Sequence, residues 1–216
     1  PTRRSSDLVT LQNGMGNAEE IARIIPADRI YVGLCFICAM REKPGHVNHL
    51  EGGNIQFAPF IPTPEGTEKA RELSELFANA GIKTRAFDAA EQIQWYKLVW
   101  NIPFNGLCLA LGGISIAELY QNPENVMRAR RIMEEVVQAA KARGYALPED
   151  LVEFHLSRTE TMGAFIPSSA VDYNEGRPVE YTAIWGDPLS KARQAGASVP
   201  EWELLDKAIR KRLNIN

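Results

Sequence analysis

The first 88 residues alternate between short apolar runs and turn residues, with helical periodicity between some of the runs. A continuous apolar stretch over residues 31–39, rich in β-branched and aromatic side chains, is typical of a strand buried on both faces. Further strands are predicted at residues 8–12 and 83–87, and helices at residues 17–25 and 67–80. Residues 46–60 alternate more loosely around Gly52-Gly53, which predicts a hairpin-like excursion.

From residue 89 onward the pattern is helical. The predicted helices cover residues 91–111, 115–120, 123–144, 149–162, 179–196 and 200–213. Strands interleaved with helices and then followed by helices alone indicate an α/β fold in two domains, residues 1–88 and 89–216.

Composition and charge narrow the class of protein. A hydrophobic content of 45% and a charged content of 24% are those of an ordinary globular protein. The net charge of −3, without a basic run, argues against a nucleic-acid partner. Three cysteines are an odd number, which argues against a secreted disulfide framework and favours the reducing cytoplasm.

Residues 98–117 carry no charge and are numerous enough to span a bilayer. Asn101, Pro103, Asn105 and several glycines interrupt this stretch, and no Lys/Arg-flanked polar loops surround it. The pattern therefore favours a buried core helix, kinked at Pro103, over a membrane span.

Lys97, Asn101 and Asn105 recur every four residues, which places one cation and two amides on a single helix face. An ammonium beside a buried helix must find partners or release its proton more easily than usual. Such a lysine is suited to protonating a developing alkoxide while the amides orient a small polar substrate. The alternative is a snorkelling lysine at a helix edge, with two amides that satisfy backbone carbonyls.

Two polar residues stand near predicted helix starts in the last third of the chain. Ser168 follows Pro167, and Glu180 is expected in the first turn of the helix that Pro178 opens. A carboxylate there lies near the positive end of the helix dipole. Helix capping is the alternative role for both residues.

Three weaker motifs occur elsewhere in the chain. Asn13-Gly14-Met15-Gly16-Asn17 follows a predicted strand and can bring backbone amides to a ligand, although a simple turn explains it equally. Cys35-x-x-Cys38 and His46-x-x-His49 have the spacing of metal half-sites, but neither has a second pair. Buried cysteines and a surface hairpin are favoured, and no metal site is predicted.

Three blocks in this order resemble the ketopantoate reductase family: LQNGMGN at residues 11–17, KLVWNIPFNGL at 97–107 and SSAVDYNEGRPVEY at 168–181. The tail GASVPEWELL extends the resemblance, which runs from about Val9 to the C-terminus. The resemblance implies a Rossmann domain that binds NADPH, followed by a helical domain of the 6-phosphogluconate dehydrogenase-like type. It implies hydride transfer to the keto carbon of 2-dehydropantoate, a reaction of pantothenate and coenzyme A biosynthesis.

Residue roles follow from the resemblance, motif by motif. Lys97 matches the general acid that donates a proton to the carbonyl oxygen, and Asn101 and Asn105 match the substrate-binding amides. Ser168 matches a hydroxyl that holds the substrate carboxylate, and Glu180 matches an acidic residue in the cleft, in reach of the lysine. The cofactor-binding residues that the resemblance implies are Asn13, at the nicotinamide end, Ala39 and Glu180.

The chain also departs from the family. The first βαβ unit with its glycine fingerprint is absent, so the resemblance implies only the second half of the Rossmann sheet and a truncated fragment that is inactive alone. Residues 1–8 resemble a translated sequencing adapter, which predicts that the native protein continues upstream of Val9. Cys35-Phe36-Ile37 replaces a Thr-Thr-His segment, and Ser115 stands at a substrate-contacting Asn of some members. Another 2-oxo acid therefore remains open as substrate.

Two rival functions remain. One is a non-catalytic dimerisation or binding module, and the other is a dehydrogenase of 3-hydroxy acids. The spacing of twelve residues between Ser168 and Glu180, as in the reductases, argues against the latter. The expected partners are a small 2-oxo acid and a second copy of the chain in a homodimer, with neither nucleic acid nor membrane.

Overall fold

A computed structural model describes residues 6–215, apart from the side chains at positions 40, 41, 50 and 51. The chain divides into two compact units, one ending at Gln94 and the other beginning at Trp95. The boundary predicted from the sequence, after residue 88, lies six residues earlier. Residues 1–5, which belong to the predicted adapter sequence, lie outside the described residues.

Four strands form a mixed sheet in chain order: β1 (Leu8–Thr10), β2 (Ile30–Lys43), β3 (His46–Pro59) and β4 (Lys83–Ala86). β1 and β2 are parallel, β2 and β3 are antiparallel, and β3 and β4 are again parallel. Helices α1 (Asn17–Ile21) and α2 (Pro64–Asn79) complete the first unit. The strands predicted near residues 9, 31 and 83 are confirmed.

The first half of β2 is buried on both faces, as its continuous apolar sequence predicts. Ile30 and Val32 lie in one core cluster, together with residues of α1. Tyr31 points to the opposite face and packs with Phe57 of β3 and Ala70 of α2. Alternate side chains of one strand thus serve two hydrophobic layers.

β2 and β3 form one long hairpin whose turn is Pro44-Gly45, so the prediction that Gly52-Gly53 marks the excursion was wrong. Gly52 lies within β3 at a bulge, opposite Ile37. Its φ is +82°, and a Cβ atom there would lie 2.4 Å from the carbonyl oxygen of Phe36. The glycine therefore permits a close approach of two strands rather than a chain reversal.

The second unit is helical. Its elements are α3 (Ala90–Ala110, which begins in the first unit), α4 (Ile116–Tyr120), α5 (Pro123–Ala142), α6 (Leu151–Glu160), α7 (Ser168–Asn174), a π-helical turn (Thr182–Gly186) that continues into α8 (Asp187–Gln194), and α9 (Pro200–Leu213). A sheet-containing unit followed by helices confirms the predicted fold class. Within residues 6–215, no helix is long and apolar enough to cross a membrane.

α3 is the central buried helix of this unit and continues through Pro103. The indole Nε1 of Trp185, in the π-helical turn, donates a hydrogen bond of 3.0 Å to the carbonyl oxygen of Ile102. A Cβ atom at Gly106 would lie 2.9 Å from that Nε1 atom and 2.7 Å from Cδ2 of Leu205. Glycine at this position therefore lets the π-helical turn and α9 approach the α3 backbone.

α9 begins against a buried carboxylate of another helix. Glu135 of α5 accepts hydrogen bonds from the backbone N–H groups of Glu201 (3.0 Å) and Trp202 (2.8 Å). Val199, which precedes α9, supplies no side-chain cap. Burial raises the pKa of Glu135, while the two N–H donors oppose that rise. Glu135 thus takes the place of a local N-cap residue.

His155 of α6 is buried, with its ring against Tyr96 at a centroid distance of 5.9 Å. Burial, assisted by the positive charge of Arg158, lowers its pKa from 6.5 to about 4. Its Nε2 atom accepts no hydrogen bond within residues 6–215. The folded protein therefore binds fewer protons here than the unfolded chain does. The stability from neutral His155 is complete above pH 6.5 and is lost as the pH falls towards 4.

We expect His155→Gln to flatten this acid dependence. Between about pH 7 and 4.5 the parent should lose roughly 2–3 kcal/mol of unfolding free energy that the variant retains. Urea titration followed by tryptophan fluorescence reports the second unit, because all four tryptophans lie between Trp95 and Trp202. His49→Gln, an exposed change, is the control and should keep the parental slope. Equal slopes for parent and His155→Gln would contradict the expectation.

Candidate active site

Lys97, Asn101 and Asn105 occupy successive turns of α3, as their spacing predicts. Asn101 and Asn105 are only 6% and 2% exposed, whereas Lys97 is half-buried. Buried amides in an apolar helix are costly unless they bind partners. These three residues therefore define a polar strip within the core of the second unit.

Asn105 joins α3 to the start of α7. Its Oδ1 atom accepts a hydrogen bond of 3.1 Å from the backbone N–H of Ser169 and one of 3.4 Å from the hydroxyl of Ser168. Because a backbone N–H can only donate, the bonded amide atom must be the oxygen. The NH₂ group of Asn105 is then the part that can bind a ligand acceptor. Asn105 thus binds a backbone N–H through its oxygen, whereas the alternative role predicted for it was to donate its NH₂ group to a backbone carbonyl.

Ser168 is the first residue of α7, and Pro167 before it supplies no side-chain cap. The capping alternative for Ser168 is therefore not what the structure shows, since the cap comes from Asn105 on α3. The structure brings the predicted substrate residues Asn105 and Ser168 together.

Glu180 directly precedes Tyr181, the first helical residue, rather than lying in the first turn as predicted. Its carbonyl oxygen accepts the N–H of Ile184 at 3.1 Å. Partial burial raises the pKa of the Glu180 carboxyl, the negative charge of Asp172 raises it further, and the positive charge of Lys97 opposes both. Glu180 thus interacts electrostatically with the lysine of α3, and its carboxyl holds a proton more readily than an ordinary glutamate.

Asp172 is a site residue that sequence analysis did not single out. Its Oδ1 atom accepts a hydrogen bond of 2.8 Å from Nε of Arg177, and its carbonyl oxygen accepts the Arg177 backbone N–H at 2.8 Å. The available signal was its position on α7 four residues after Ser168, which places both on one helix face.

Ser115, which stands at the position of a substrate-contacting Asn in some relatives, is a helix cap. Its hydroxyl accepts the N–H of Glu118 at 3.3 Å and donates to the Glu118 carboxylate at 2.6 Å. The Glu118 carboxylate also accepts the backbone N–H of Ser115, which completes a capping box for α4.

In the first unit, Asn13 lies in the loop that follows β1. Its carbonyl oxygen accepts a hydrogen bond of 2.9 Å from Nδ2 of Asn17, and the carbonyl of Gly14 accepts one of 3.1 Å from Gln94. A loop fixed at the carboxyl end of a parallel strand is the usual place for a dinucleotide contact in such sheets. Asn13 and its loop therefore fit one end of a nicotinamide cofactor.

Ala39 lies elsewhere on the sheet. It is exposed on β2, seven residues beyond Val32, which pairs with Thr10 at the end of β1. Seven residues of extended chain span roughly 23 Å. The structure therefore does not bring Ala39 close to the level of the sheet where β1 ends.

The remaining motifs lie on the hairpin or in the core. Cys35 and Cys38 are partly exposed on β2, so the prediction that they are buried was only partly right, while Cys108 is buried. His46 and His49 are exposed on β3, which confirms the surface hairpin. Over the described part of the chain, no three His, Cys, Asp or Glu side chains are grouped to hold a metal ion.

Sequence comparisons match most of the chain. Residues 89–212 match the family model for the C-terminal part of ketopantoate reductase PanE/ApbA, and residues 2–62 match the model for ketopantoate reductase PanE/ApbA. A 2-dehydropantoate 2-reductase from Nostoc sp. is 35% identical over 197 residues, which cover 90% of this chain and 61% of the relative. The chain thus spans less than two thirds of that curated relative.

Solved structures agree with this assignment. The 2-dehydropantoate 2-reductase from Geobacter metallireducens superposes with a TM-score of 0.88 at 37% identity, covering 95% of this chain and 68% of that one. D-mandelate dehydrogenase, solved with NADH and anilino(oxo)acetate, has a TM-score of 0.85 and covers 99% and 70% of the two chains, but at 23% identity it shows the fold alone. The class is an α/β unit of Rossmann-like type followed by a helical unit. Within that class, the chain belongs to the ketopantoate reductase family.

Proposed function

We propose that the full-length protein reduces 2-dehydropantoate to pantoate with NADPH, in the cytoplasm, as a step of pantothenate and coenzyme A biosynthesis. The observation that carries the proposal is the bond between Asn105 and the start of α7, which joins two predicted substrate residues. Lys97 and Glu180 interact within the same unit, as a general acid and its carboxylate would. Family membership and the names of the Nostoc and Geobacter relatives support the reaction.

The nicotinamide cofactor, when bound, supplies the hydride. Asn13 would hold its nicotinamide end, and Glu180 is a further contact that the family resemblance implies. Ala39, which the resemblance also implies, lies on the exposed part of β2 away from Asn13 and is left out of the proposed site. NADPH, rather than NADH, is the cofactor that the family resemblance implies.

Lys97 supplies the proton in the proposed reaction. Its Nζ atom donates to the carbonyl oxygen as negative charge develops there, and the ammonium stabilises that charge. Glu180 lies within electrostatic reach of Lys97, and its raised pKa suits it to hold a proton beside the lysine. The apolar residues around the strip shield the buried amides Asn101 and Asn105 from water.

The amides contact the substrate in this proposal, and Ser168, predicted to hold the substrate carboxylate, donates its one hydroxyl proton to Asn105. Asn105 offers only N–H groups, because its oxygen is already bonded to Ser169 and Ser168. Asn101, one turn away and buried, adds a second amide. A 2-oxo acid carries carboxylate and carbonyl oxygens, which are acceptors that match such donors.

A related 2-oxo acid is the second candidate substrate. Ser115 is engaged in a capping box where some relatives have a substrate-contacting Asn, so this wall of the site differs.

The test is NADPH oxidation by the full-length protein with 2-dehydropantoate and a panel of other 2-oxo acids. Asn105→Asp ties the result to the site, because an aspartate oxygen still accepts from Ser169 while the NH₂ donor is lost. We expect KM for the substrate to rise about 10–100-fold, the scale of a lost ligand hydrogen bond. Asn122→Asp is the matched control, since Asn122 caps α5 through its oxygen and Asp caps equally well.

The outcomes separate the candidates. Oxidation with a different 2-oxo acid keeps the reductase and replaces the substrate. No oxidation with any acid, by a folded protein, favours the non-catalytic binding or dimerisation module. The 216-residue chain assayed by itself is expected to be inactive, and a homodimer of the full-length protein remains a prediction for sedimentation analysis.

A further inference from the structure

The helix that follows Glu180 begins with an anchored tyrosine. The hydroxyl of Tyr181 donates a hydrogen bond of 2.6 Å to Oδ1 of Asp206 on α9, and Nη1 of Arg210 lies 3.5 Å from the same hydroxyl. Asp206 is 7% exposed, so this is a mostly buried bond to a charged acceptor. Burial and Asp206 both raise the pKa of Tyr181, which keeps the hydroxyl protonated as a donor.

The ring of Tyr181 is also tied towards α3. It stacks on Trp185 with a centroid distance of 6.4 Å and an interplanar angle of 27°. Trp185 in turn donates to the carbonyl of Ile102, the residue next to Asn101. The π-helical turn between Tyr181 and α8 is thus held from both α9 and α3. Single π-helical turns of this kind occur frequently at functional sites.

Glu180 lies at the end of an exposed connection. Glu175, Gly176, Arg177 and Pro178 are all exposed, and Gly176 has a positive φ of 68°. Arg177 fastens the first part of this connection to Asp172 of α7. At the other end of the connection, Tyr181 is the first residue whose side chain bonds a buried partner, Asp206. Without that anchor, a short exposed segment has little to hold the Glu180 carboxyl in one place.

We propose that the Tyr181–Asp206 hydrogen bond positions the Glu180 carboxyl in reach of Lys97 and Asp172 by fixing the start of the π-helical turn. Tyr181 and Asp206 are positioning residues, because they act through Glu180 and the backbone. The inference rests on the proposed function only for its consequence on turnover. The placement of Glu180 is a property of the folded protein, and it can be measured without substrate.

The first experiment follows the titration of Glu180 in the full-length protein by NMR of ¹³C-labelled glutamate, with Glu180→Gln to identify the signal. Glu180 is an exposed residue whose carboxyl is only partly withdrawn from water, and Lys97 and Asp172 are the charged groups that act on its pKa. Tyr181→Phe removes only the anchoring hydroxyl. The carboxyl should then gain further water contact, and its pKa should fall towards the ordinary value.

Asp206→Asn is the conservative variant, because the amide oxygen still accepts the hydrogen bond from Tyr181. Glu180 in this variant should titrate as it does in the parent. Tyr120→Phe is the matched control, since it deletes a hydroxyl bonded at 3.0 Å to the carbonyl of Leu156. An unchanged Glu180 titration in Tyr181→Phe would overturn the proposal.

The second experiment measures turnover in the same variants. Tyr181→Phe should lower kcat about tenfold and shift the acid limb of its pH profile with the Glu180 titration, while KM changes little. A parent without reductase activity would refute the proposed function alone, because the NMR result stands independently of it.

Discussion

Replacing Lys97 with alanine in the full-length protein is expected to lower kcat for 2-oxo acid reduction about a thousandfold, the scale of losing a general acid. The half-buried position of Lys97 at the edge of the apolar part of α3 makes its loss a small change for the fold. Unfolding free energy, followed by tryptophan fluorescence, should change by less than about 1 kcal/mol.

Lys97→Arg separates proton donation from charge. Arginine keeps the positive charge but does not release a proton near neutral pH, so kcat should stay low while KM partly recovers. Lys207→Ala, an exposed change on α9, is the control and should leave both constants unaltered. Full turnover in Lys97→Arg would show that only the charge is needed, and full turnover in Lys97→Ala would remove the lysine from the reaction.

The largest expected loss of stability comes from Glu135→Ala. Two backbone N–H groups at the start of α9 lose their acceptor, and Trp202, whose N–H is one of them, is completely buried. Each unsatisfied buried donor costs on the order of 1–3 kcal/mol, so we expect a loss of about 3 kcal/mol in unfolding free energy. Urea unfolding monitored through the tryptophans measures it directly.

The neighbouring Glu134 provides the matched control, since it belongs to the same helix but is exposed. Glu134→Ala should change the unfolding free energy by no more than about 0.5 kcal/mol. Glu135→Gln retains one acceptor oxygen and should fall between the parent and Glu135→Ala. A loss below about 1 kcal/mol in Glu135→Ala would mean that water replaces the carboxylate as the acceptor.

The polar strip of α3 could be predicted because helical periodicity is local. Lys97, Asn101 and Asn105 are spaced by four residues, so any helix through them places them on one face. The same reasoning found the buried half of β2 and the extents of the longer helices. It could not find the bond from Asn105 to Ser169, because that bond depends on how two helices separated by more than sixty residues pack.

Local sequence signals also gave wrong predictions where the same residues are typical of more than one structure. Gly52-Gly53 is a common turn sequence, yet a bulge within paired strands needs the same positive φ. Pro44-Gly45 carried the real turn. Glu135 is one of several charged residues on the amphipathic helix α5, and only the tertiary structure shows it at the start of α9. Asp172 was overlooked for the same reason, since its partner Arg177 and its effect on Glu180 depend on the fold.

An amide whose oxygen is committed elsewhere distinguishes between ligands by the direction of their hydrogen bonds. Asn105 can give a hydrogen to a ligand oxygen, but it has no free oxygen with which to receive one from a ligand N–H, since Ser168 and Ser169 both donate to that atom. A 2-oxo acid and the 2-amino acid of the same skeleton differ in this respect: the first offers a carbonyl oxygen and the second an ammonium group. An ammonium placed against Asn105 would lose its water without gaining an acceptor. In the proposed substrate site, the helix contact that orders α7 would therefore also disfavour amino acids.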